Sequence, residues 1–186
     1  NGIESNGVCL TKEEDKAFQK EALETFETMK IEYVDYNEFE KVNKESIGFG
    51  SFGDVFKVKH KRTGKIYAAK ILSIIDTDNK QKTSTENFKK EIKILCQSKH
   101  PLIVKIFCHS KDKNSNPIII TEFVENGSLD KILKKEQIFR EQYDSNIEIF
   151  NEMKQLIIIY GISSAMNYLH KNNILHLDIK PGNVLI

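Results

Sequence analysis

Apolar residues recur at helical spacing near the start of the chain. Residues 11–31 carry such a stripe, and Thr11 followed three positions later by Glu14 has the spacing of a capping box. We therefore predict a helix over 11–31. The members of its apolar stripe are Phe18, Ala22, Leu23, Phe26 and Met29. The charged and aromatic segment 33–44 that follows is typical of a linker leading into a strand.

From residue 40 to residue 72 the pattern changes to that of β-strands. Residues 55–59 alternate between apolar and polar types, residues 61–64 are typical of a turn, and residues 66–72 form a second apolar strand. We predict two further strands, at residues 102–108 and 118–123.

Helical spacing returns at three places later in the chain. After a polar stretch at 76–85, which predicts a loop, Thr83 and Glu86 form another capping box. The helix that follows has one face made of Phe88, Glu91, Ile92 and Leu95. We predict a short helix from Ser128 and a longer helix from about Glu152 to Asn172. The longer helix carries the apolar stripe Leu156, Ile159, Ile162, Met166 and Leu169. Strands with one helix, followed by helices, predict an α+β fold with two lobes.

The composition is that of a globular protein. Of the 186 residues 39% are hydrophobic and 30% charged, and the formal net charge is +1. A charge this small gives no broad attraction to nucleic acid or to a membrane surface, so we expect no nucleic-acid partner. The longest apolar run, Leu156–Ile159, is far shorter than the ~20 residues of a membrane span. The three cysteines lack metal-ligand spacing, which favours a reducing compartment and a cytoplasmic location.

A glycine-rich run, Gly-Phe-Gly-Ser-Phe-Gly-Asp-Val, occupies residues 48–55. Glycine allows the backbone to approach phosphates closely. A Rossmann turn uses the same glycine spacing, but there the glycines open a helix, whereas Val55 opens an alternating strand pattern. A glycine-rich hairpin that binds no ligand stays open as an alternative at this point.

Two charged residues lie at positions with buried-looking neighbours. Lys70 ends an otherwise apolar strand, and Glu91 interrupts the apolar face of the predicted helix. Either charge is costly to bury without a partner, so we predict that the two pair and that the lysine head holds phosphate oxygens. Taken singly, each could equally be a solvated surface residue.

The segment His-Leu-Asp-Ile-Lys-Pro-Gly-Asn at 176–183 is the strongest single signal. Asp178 can accept or orient a hydroxyl proton, and Lys180 can neutralise charge on a transferred phosphoryl group. Asn183 can supply a carbonyl oxygen to magnesium. An ordinary turn rich in Asp, Pro, Gly and Asn is the alternative if this segment is taken alone.

The glycine run, Lys70, Glu91, the hinge-like segment 121–129 and segment 176–183 resemble, in this order, a protein kinase. The resemblance covers about residues 40–186. It implies a protein-kinase-like α+β fold, with a five-stranded antiparallel N-lobe sheet, a C helix and the first helices of a helical C-lobe. It also implies an N-terminal helical extension at 1–39, a kinase N-lobe and hinge at 40–124, and a partial C-lobe at 125–186 that ends after the catalytic loop.

The resemblance further implies an ATP-dependent protein serine/threonine kinase that uses Mg²⁺. Asp178 is then the catalytic base, Lys180 assists it, Lys70 contacts the phosphates and pairs with Glu91, and Asn183 is a metal ligand. The nucleotide-binding residues that it implies are Ile47, Gly48, Phe49, Gly50, Ser51, Phe52, Gly53, Val55, Ala68, Lys70, Thr121, Glu122, Val124 and Leu185. By this resemblance, Thr121 is the gatekeeper residue. Backbone groups of Glu122 and Val124 hydrogen-bond the edge of the adenine ring, and Leu185 forms the floor beneath that ring. Lys180 resembles Ser/Thr kinases, so the implied partner is a protein with a serine or threonine hydroxyl.

The sequence departs from the kinase pattern in several places. Leu177 stands where the family usually has an arginine that pairs with a phosphorylated activation loop, so we expect little dependence on such a phosphate. Residues 136–153 are read as an insertion. The 186 residues contain no Asp-Phe-Gly motif and both ends look like internal cuts, so this stretch by itself is expected to be inactive. Alternatives are a pseudokinase or ATP-binding scaffold module, and a small-molecule kinase.

Overall fold

The computed structural model describes residues 12–50, 53–72, 81–142 and 151–186. The helices are α1 (Lys12–Thr28), α2 (Gln81–Gln97), α3 (Leu129–Gln142) and α4 (Glu152–Lys171). The strands are β1 (Phe39–Lys41), β2 (Gly48–Gly50), β3 (Gly53–His60), β4 (Ile66–Ile71), β5 (Ile106–Lys111) and β6 (Pro117–Glu122). Short 3-10 turns occupy Tyr36–Glu38 and Pro181–Asn183. No helix in these ranges combines the length and the apolar character that crossing a bilayer requires.

The strands form one antiparallel sheet in the order β1-β3-β4-β6-β5, and β2 also pairs with β3. Both β1 and β2 therefore occupy the first of five strand positions, separated by an excursion at 42–47. The backbone N–H of Val42 donates to Lys57 O at 2.9 Å and that of Ile47 donates to Val55 O at 2.8 Å, so both ends of the excursion remain paired with β3. The expected five-stranded antiparallel sheet is confirmed in this form.

Each face of the sheet contributes to a separate hydrophobic core. Side chains alternate between the faces of a strand, so β6 directs Ile119 to one core and Ile118 and Ile120 to the other. The core between the sheet and helices α1 and α2 contains Phe18, Ala22, Phe26, Leu72, Ile92 and Ile119. The core on the opposite face contains Phe39, Val58, Ala69, Cys108, Ile118 and Ile120.

Helix α1 belongs to the same compact unit as the sheet, which comprises the described residues up to Gln97 together with Val104–Phe123. The predicted apolar stripe is confirmed, since Phe18, Ala22 and Phe26 are buried. The helix ends at Thr28, before the predicted residue 31, because Lys30 adopts a left-handed conformation (φ 54°) and reverses the chain. The predicted cap residue Thr11 and the side chain of Glu14 lie outside the described residues. That residues 1–39 form an extension separate from the sheet that follows remains a prediction.

Three further element boundaries differ from the predictions. Helix α2 begins at Gln81, inside the predicted loop 76–85, and the side chains of its predicted capping box and of Phe88 lie outside the described residues. Strand β5 begins at Ile106 because the residues after Pro101 form a turn, in which Ile103 N donates to His100 O at 3.1 Å. Helix α3 continues to Gln142, so the first part of the predicted insertion 136–153 is helical; residues 143–150 lie outside the described ranges.

The second compact unit comprises Ser98–Ile103 and Val124–Ile186. Helix α4 begins where predicted, because the Asn151 side chain accepts a hydrogen bond from Lys154 N at 3.1 Å and so caps the first turn. Of the predicted stripe, Leu169 is buried and Ile162 and Met166 are half-buried. Its N-terminal members Leu156 and Ile159 are 61% and 60% exposed.

Candidate active site

Several of the predicted nucleotide-binding residues lie on one face of the sheet. Residues directly opposite each other in an antiparallel pair project to the same face. Val55 on β3 lies opposite Lys70 on β4, and Ala68 lies opposite Thr121 on β6. Since Ala68 and Lys70 are two residues apart on one strand, all four positions share this face. Ile119, opposite Lys70, also lies on it and belongs to the core under α1 and α2.

Helix α2 brings Glu91 to the only lysine on strand β4. Lys70 Nζ lies 3.0 Å from Glu91 Oε1, and the two side chains are 21% and 37% exposed. The ion pair that the sequence predicted is therefore present. Partial burial makes each charge depend on the other, because an unpaired charge in such a place loses solvation without compensation.

The glycine run folds back as the hairpin of β2 and β3, with Gly48 opposite Val55 and Gly50 opposite Gly53. Gly53 has φ 133°, a conformation that side chains rarely adopt, so the turn requires glycine there. A Cβ placed on Gly48 would meet no atom of the described residues within 4 Å, so packing against that part of the chain does not require glycine at this position. Ser51, Phe52 and the side chain of Phe49 lie outside the described residues.

The segment after β6 is tied to the strand beside it. Glu122 N donates to Lys105 O at 3.0 Å, and Glu122 Oε1 accepts from Lys105 N at 2.8 Å. The Glu122 carbonyl accepts a 3.2 Å hydrogen bond from Thr121 Oγ1. Sequence reasoning missed one contact here: Lys57 Nζ lies 4.5 Å from the centroid of the Phe123 ring. The signal was available, since Lys57 lies opposite Ala68 and shares its face of the sheet.

In the second unit, Asp178, Lys180 and Asn183 are connected by hydrogen bonds. Lys180 Nζ lies 2.9 Å from Asp178 Oδ2. Asn183 Nδ2 donates to both the backbone oxygen and Oδ2 of Asp178, each at 2.8 Å. The Pro181–Asn183 turn sets this geometry, because it returns the chain so that Asn183 N donates to Lys180 O at 2.9 Å. The sequence-predicted trio is brought together.

These contacts favour the charged form of Asp178. The hydrogen bond from Lys180, and after it the hydrogen bond from Asn183, hold the pKa of the Asp178 carboxyl below its ordinary value. Asp178 is thus a carboxylate at neutral pH and can accept a proton. With the Asn183 amide group donating to Asp178, the carbonyl oxygen Oδ1 is the acceptor left to that side chain.

The segment after the hinge pairs with the residues that follow Asn183. Leu129 N donates to Val184 O at 2.8 Å and Ile186 N donates to Gly127 O at 2.9 Å, and Ser128 and Leu185 form an antiparallel bridge. This pairing fixes Leu185 beside the start of α3. Leu177, the departure from the arginine pattern, has φ 60° and is 89% exposed.

Comparison of the sequence with known proteins shows which family and which proteins the chain resembles. A family model described as "Protein kinase domain" matches residues 41–186. The chain is 36% identical over 143 residues, 77% of its length, to a probable serine/threonine-protein kinase nek1 of Dictyostelium discoideum. It is 34% identical over 160 residues, 86% of its length, to calcium-dependent protein kinase 5 of Plasmodium berghei, and 32% identical over 142 residues, 76% of its length, to an Aurora kinase of Yarrowia lipolytica. The chain spans 27%, 25% and 34% of these relatives.

Proposed function

Since the chain belongs to the protein kinase domain family, we propose that the full-length protein is an ATP-dependent protein serine/threonine kinase. It transfers the γ-phosphoryl group of ATP to a serine or threonine hydroxyl of a protein. The observation that carries this proposal is the ion pair of Lys70 with Glu91 at 3.0 Å. An ammonium group held in place on a partly buried sheet face is suited to binding phosphate oxygens rather than to solvation.

The nucleotide-binding role is supported by what the sheet face offers. The apolar side chains of Val55 and Ala68 share this face with Lys70 and the gatekeeper Thr121. The empty space beside the Gly48 backbone suits a phosphate, which needs close approach to main-chain N–H groups. The residues present therefore fit a nucleotide. Ile47, Phe49 to Gly53, Val124 and Leu185 complete the proposed nucleotide-binding set.

The chemistry is assigned to the trio of the second unit. Asp178, kept ionised by its neighbours, orients the substrate hydroxyl and accepts its proton. Lys180 neutralises charge that develops on the transferred phosphoryl group, and its contact with Asp178 Oδ2 at 2.9 Å keeps it near that oxygen. Phosphoryl transfer depends mainly on positioning and charge neutralisation, which these side chains supply.

Magnesium would be held by Asn183 Oδ1. Mg²⁺ takes oxygen ligands, and in protein kinases the asparagine of the catalytic loop is one of its protein ligands, alongside substrate phosphates. The donor set fits, because the Asn183 amide group is already engaged and its carbonyl oxygen is oriented by that engagement. When bound, the metal neutralises phosphate charge; the protein groups hold and orient Asn183.

The test is phosphate transfer from labelled ATP to a serine- and threonine-containing protein by the full-length protein and by its Lys70→Met and Asp178→Asn variants. We expect each variant to lose about 100-fold or more of the transfer rate, because each removes a group that acts in the transition state. Lys113→Met, at an exposed lysine in the turn between β5 and β6, is the matched control and should leave the rate unchanged.

Phosphoamino-acid analysis of the product distinguishes the substrate class. Phosphoserine or phosphothreonine supports the proposal, whereas phosphotyrosine alone contradicts the serine/threonine assignment. ATP binding with no transfer above the Asp178→Asn background would instead identify a pseudokinase or ATP-binding scaffold module.

A further inference from the structure

Helix α1 lies outside the region that the kinase family model matches, which begins at residue 41, yet it packs against the helix that carries Glu91. Among the described elements, α2 makes its most extensive helix or strand contact with α1. Phe18, Ala22 and Phe26 of α1 are 4%, 0% and 0% exposed. They join one core with Ile92, the residue directly after Glu91.

Two polar contacts fix how α1 lies on its neighbours. Glu21 of α1 forms an ion pair with Lys89, two residues before Glu91 on α2. Gln19 Nε2 donates to Asn116 Oδ1 at 3.1 Å, in the turn that leads into β6. The ion pair restrains α1 along α2, and the hydrogen bond ties it to the sheet.

The chain that follows α1 anchors it to the edge of the sheet. After the reversal at Lys30, Tyr33 bridges His109 of β5 in parallel, and Val34 N donates to His109 O at 3.0 Å. The His109 ring lies 4.7 Å from that of Phe26 and 5.3 Å from that of Tyr33, measured between centroids. Helix α1 is thus held from its middle to its C-terminal end, and it can transmit the position of the sheet to α2.

We propose that α1 is a positioning element for Glu91: its packing against α2 keeps the Glu91 carboxylate within ion-pair distance of Lys70. This proposal rests on the proposed kinase function. The sheet fixes Lys70, whereas Glu91 lies on a helix whose main contact is α1, so loss of that contact releases Glu91 and not Lys70. Residues of α1 touch neither nucleotide nor substrate in this scheme and act only through Glu91.

The decisive experiment is a double-mutant cycle in the full-length protein. Phe26→Ala should lower kcat about tenfold in the native background, a shift expected when most molecules no longer hold the productive arrangement. In the Glu91→Gln background, the carboxylate that α1 is proposed to position is already absent. There Phe26→Ala should lower kcat less than about twofold. Phe26→Leu, which keeps an apolar side chain, should restore most of the rate.

Equal losses in the two backgrounds would show that α1 contributes only to stability, and no loss in either would show that α1 does not position Glu91. The charge reversals Glu21→Lys and Lys89→Glu give an independent readout, since the double variant should recover the rate that each single variant loses. Glu24→Lys, one turn along on the exposed side and paired with Lys20, is the matched control and should have no effect.

Hydrogen exchange of the backbone amides of residues 89–97 separates this proposal from the proposed function. If the native protein shows no transfer, the kinase assignment fails, but faster exchange of these amides in Phe26→Ala still supports the α1 contact as the restraint on α2. Unchanged exchange of these amides in Phe26→Ala would show that α1 does not restrain α2, whether or not the protein transfers phosphate.

Discussion

At the scale of single residues, the candidate site depends on pairs of charged and polar groups that hold one another. Lys70 depends on Glu91, and Asp178 depends on Lys180 and Asn183. The sequence predicted the Lys70–Glu91 pair from the cost of an unpaired charge at an apolar position. It placed Asp178, Lys180 and Asn183 in one motif but did not predict the hydrogen bonds between them. Strand alternation places the half-buried Lys57 on the face of Val55, but the contact with Phe123 was missed because a local pattern does not show which distant residue a lysine meets.

Removing Lys180 should raise the pKa of Asp178. The folded-state pKa of Asp178 lies below its ordinary value, so the network stabilises the folded protein above that ordinary value and the contribution is lost as the pH falls through the folded pKa. In Lys180→Met the largest cause of the shift is gone, and the titration moves to higher pH. Carbon NMR of labelled aspartate carboxyls measures this directly. Lys171→Met, at an exposed lysine of α4, should leave the Asp178 titration in place, and an unchanged titration in Lys180→Met would contradict the assignment.

At the scale of elements, helix α1 and the residues after it make more contacts with the sheet than their sequence predicts. The apolar stripe predicted helix α1, but Tyr33 and Val34 lie in the predicted linker 33–44 and instead pair, together with Glu32, with the edge strand β5. Edge strands offer unpaired backbone groups, so any nearby extended segment can add to them. Local sequence cannot reveal this, because backbone hydrogen bonding carries no side-chain signature.

Acidification should destabilise the first unit through His109. Its ring is 5% exposed between Phe26 and Tyr33, and burial lowers the pKa of His109 although Glu27 acts in the opposite direction. The folded-state pKa therefore lies below the unfolded value of about 6.5, so stability is constant well above that pH and falls as the pH drops below it, until the folded form is also protonated. Chemical unfolding of the 186-residue chain at pH 7.5 and pH 5.5 measures the difference.

His109→Phe provides the matched variant. It keeps an aromatic ring between the same neighbours, and His109 Nδ1 has no hydrogen-bond partner among the described residues that the change would remove. We expect the variant to be at least as stable as the native chain at pH 7.5 and to show a smaller loss at pH 5.5. The assignment is wrong if both proteins lose the same stability on acidification.

At the scale of the whole chain, the two compact units differ in how well their apolar residues are covered. The first unit encloses two hydrophobic cores within its described residues. In the second unit, α4 leaves an exposed apolar surface that we call the α4 patch, made of Met153, Leu156, Ile157 and Tyr160. These four side chains are between 61% and 76% exposed and recur at helical spacing, so they form one continuous patch.

The α4 patch should make the 186-residue chain associate with itself. Replacing Leu156→Glu together with Tyr160→Lys places two charges four residues apart in the favourable order, which supports the helix while removing apolar surface. We expect this double variant to sediment as a smaller species and to bind less of a dye that reports exposed apolar surface. Its free energy of unfolding should change by no more than about 0.5 kcal/mol. Asn167→Glu, at an exposed polar position of the same helix, should change neither property. Equal association of the patch variant and the native chain would exclude the patch as its cause.

The sequence by itself determined where the main helices and strands form and that Lys70 pairs with Glu91. Hydrophobic periodicity predicted α1 and α4, and alternation predicted β3. Apolar runs predicted β4, β5 and β6, and charges at apolar positions predicted that Lys70 meets Glu91. These signals are local or rest on the cost of burial, so they can be read from the order of residues alone.

Only the tertiary structure decided where the elements meet. It placed α1 on the helix that carries Glu91 and added residues 32–34 to the edge of β5. It also moved the start of β5 from Leu102 to Ile106, and left Leu156 exposed although Leu169 is buried on the same stripe. Each of these outcomes depends on which surfaces compete for the same apolar faces and backbone groups. That competition involves residues far apart in the chain, and no single stretch of sequence contains it.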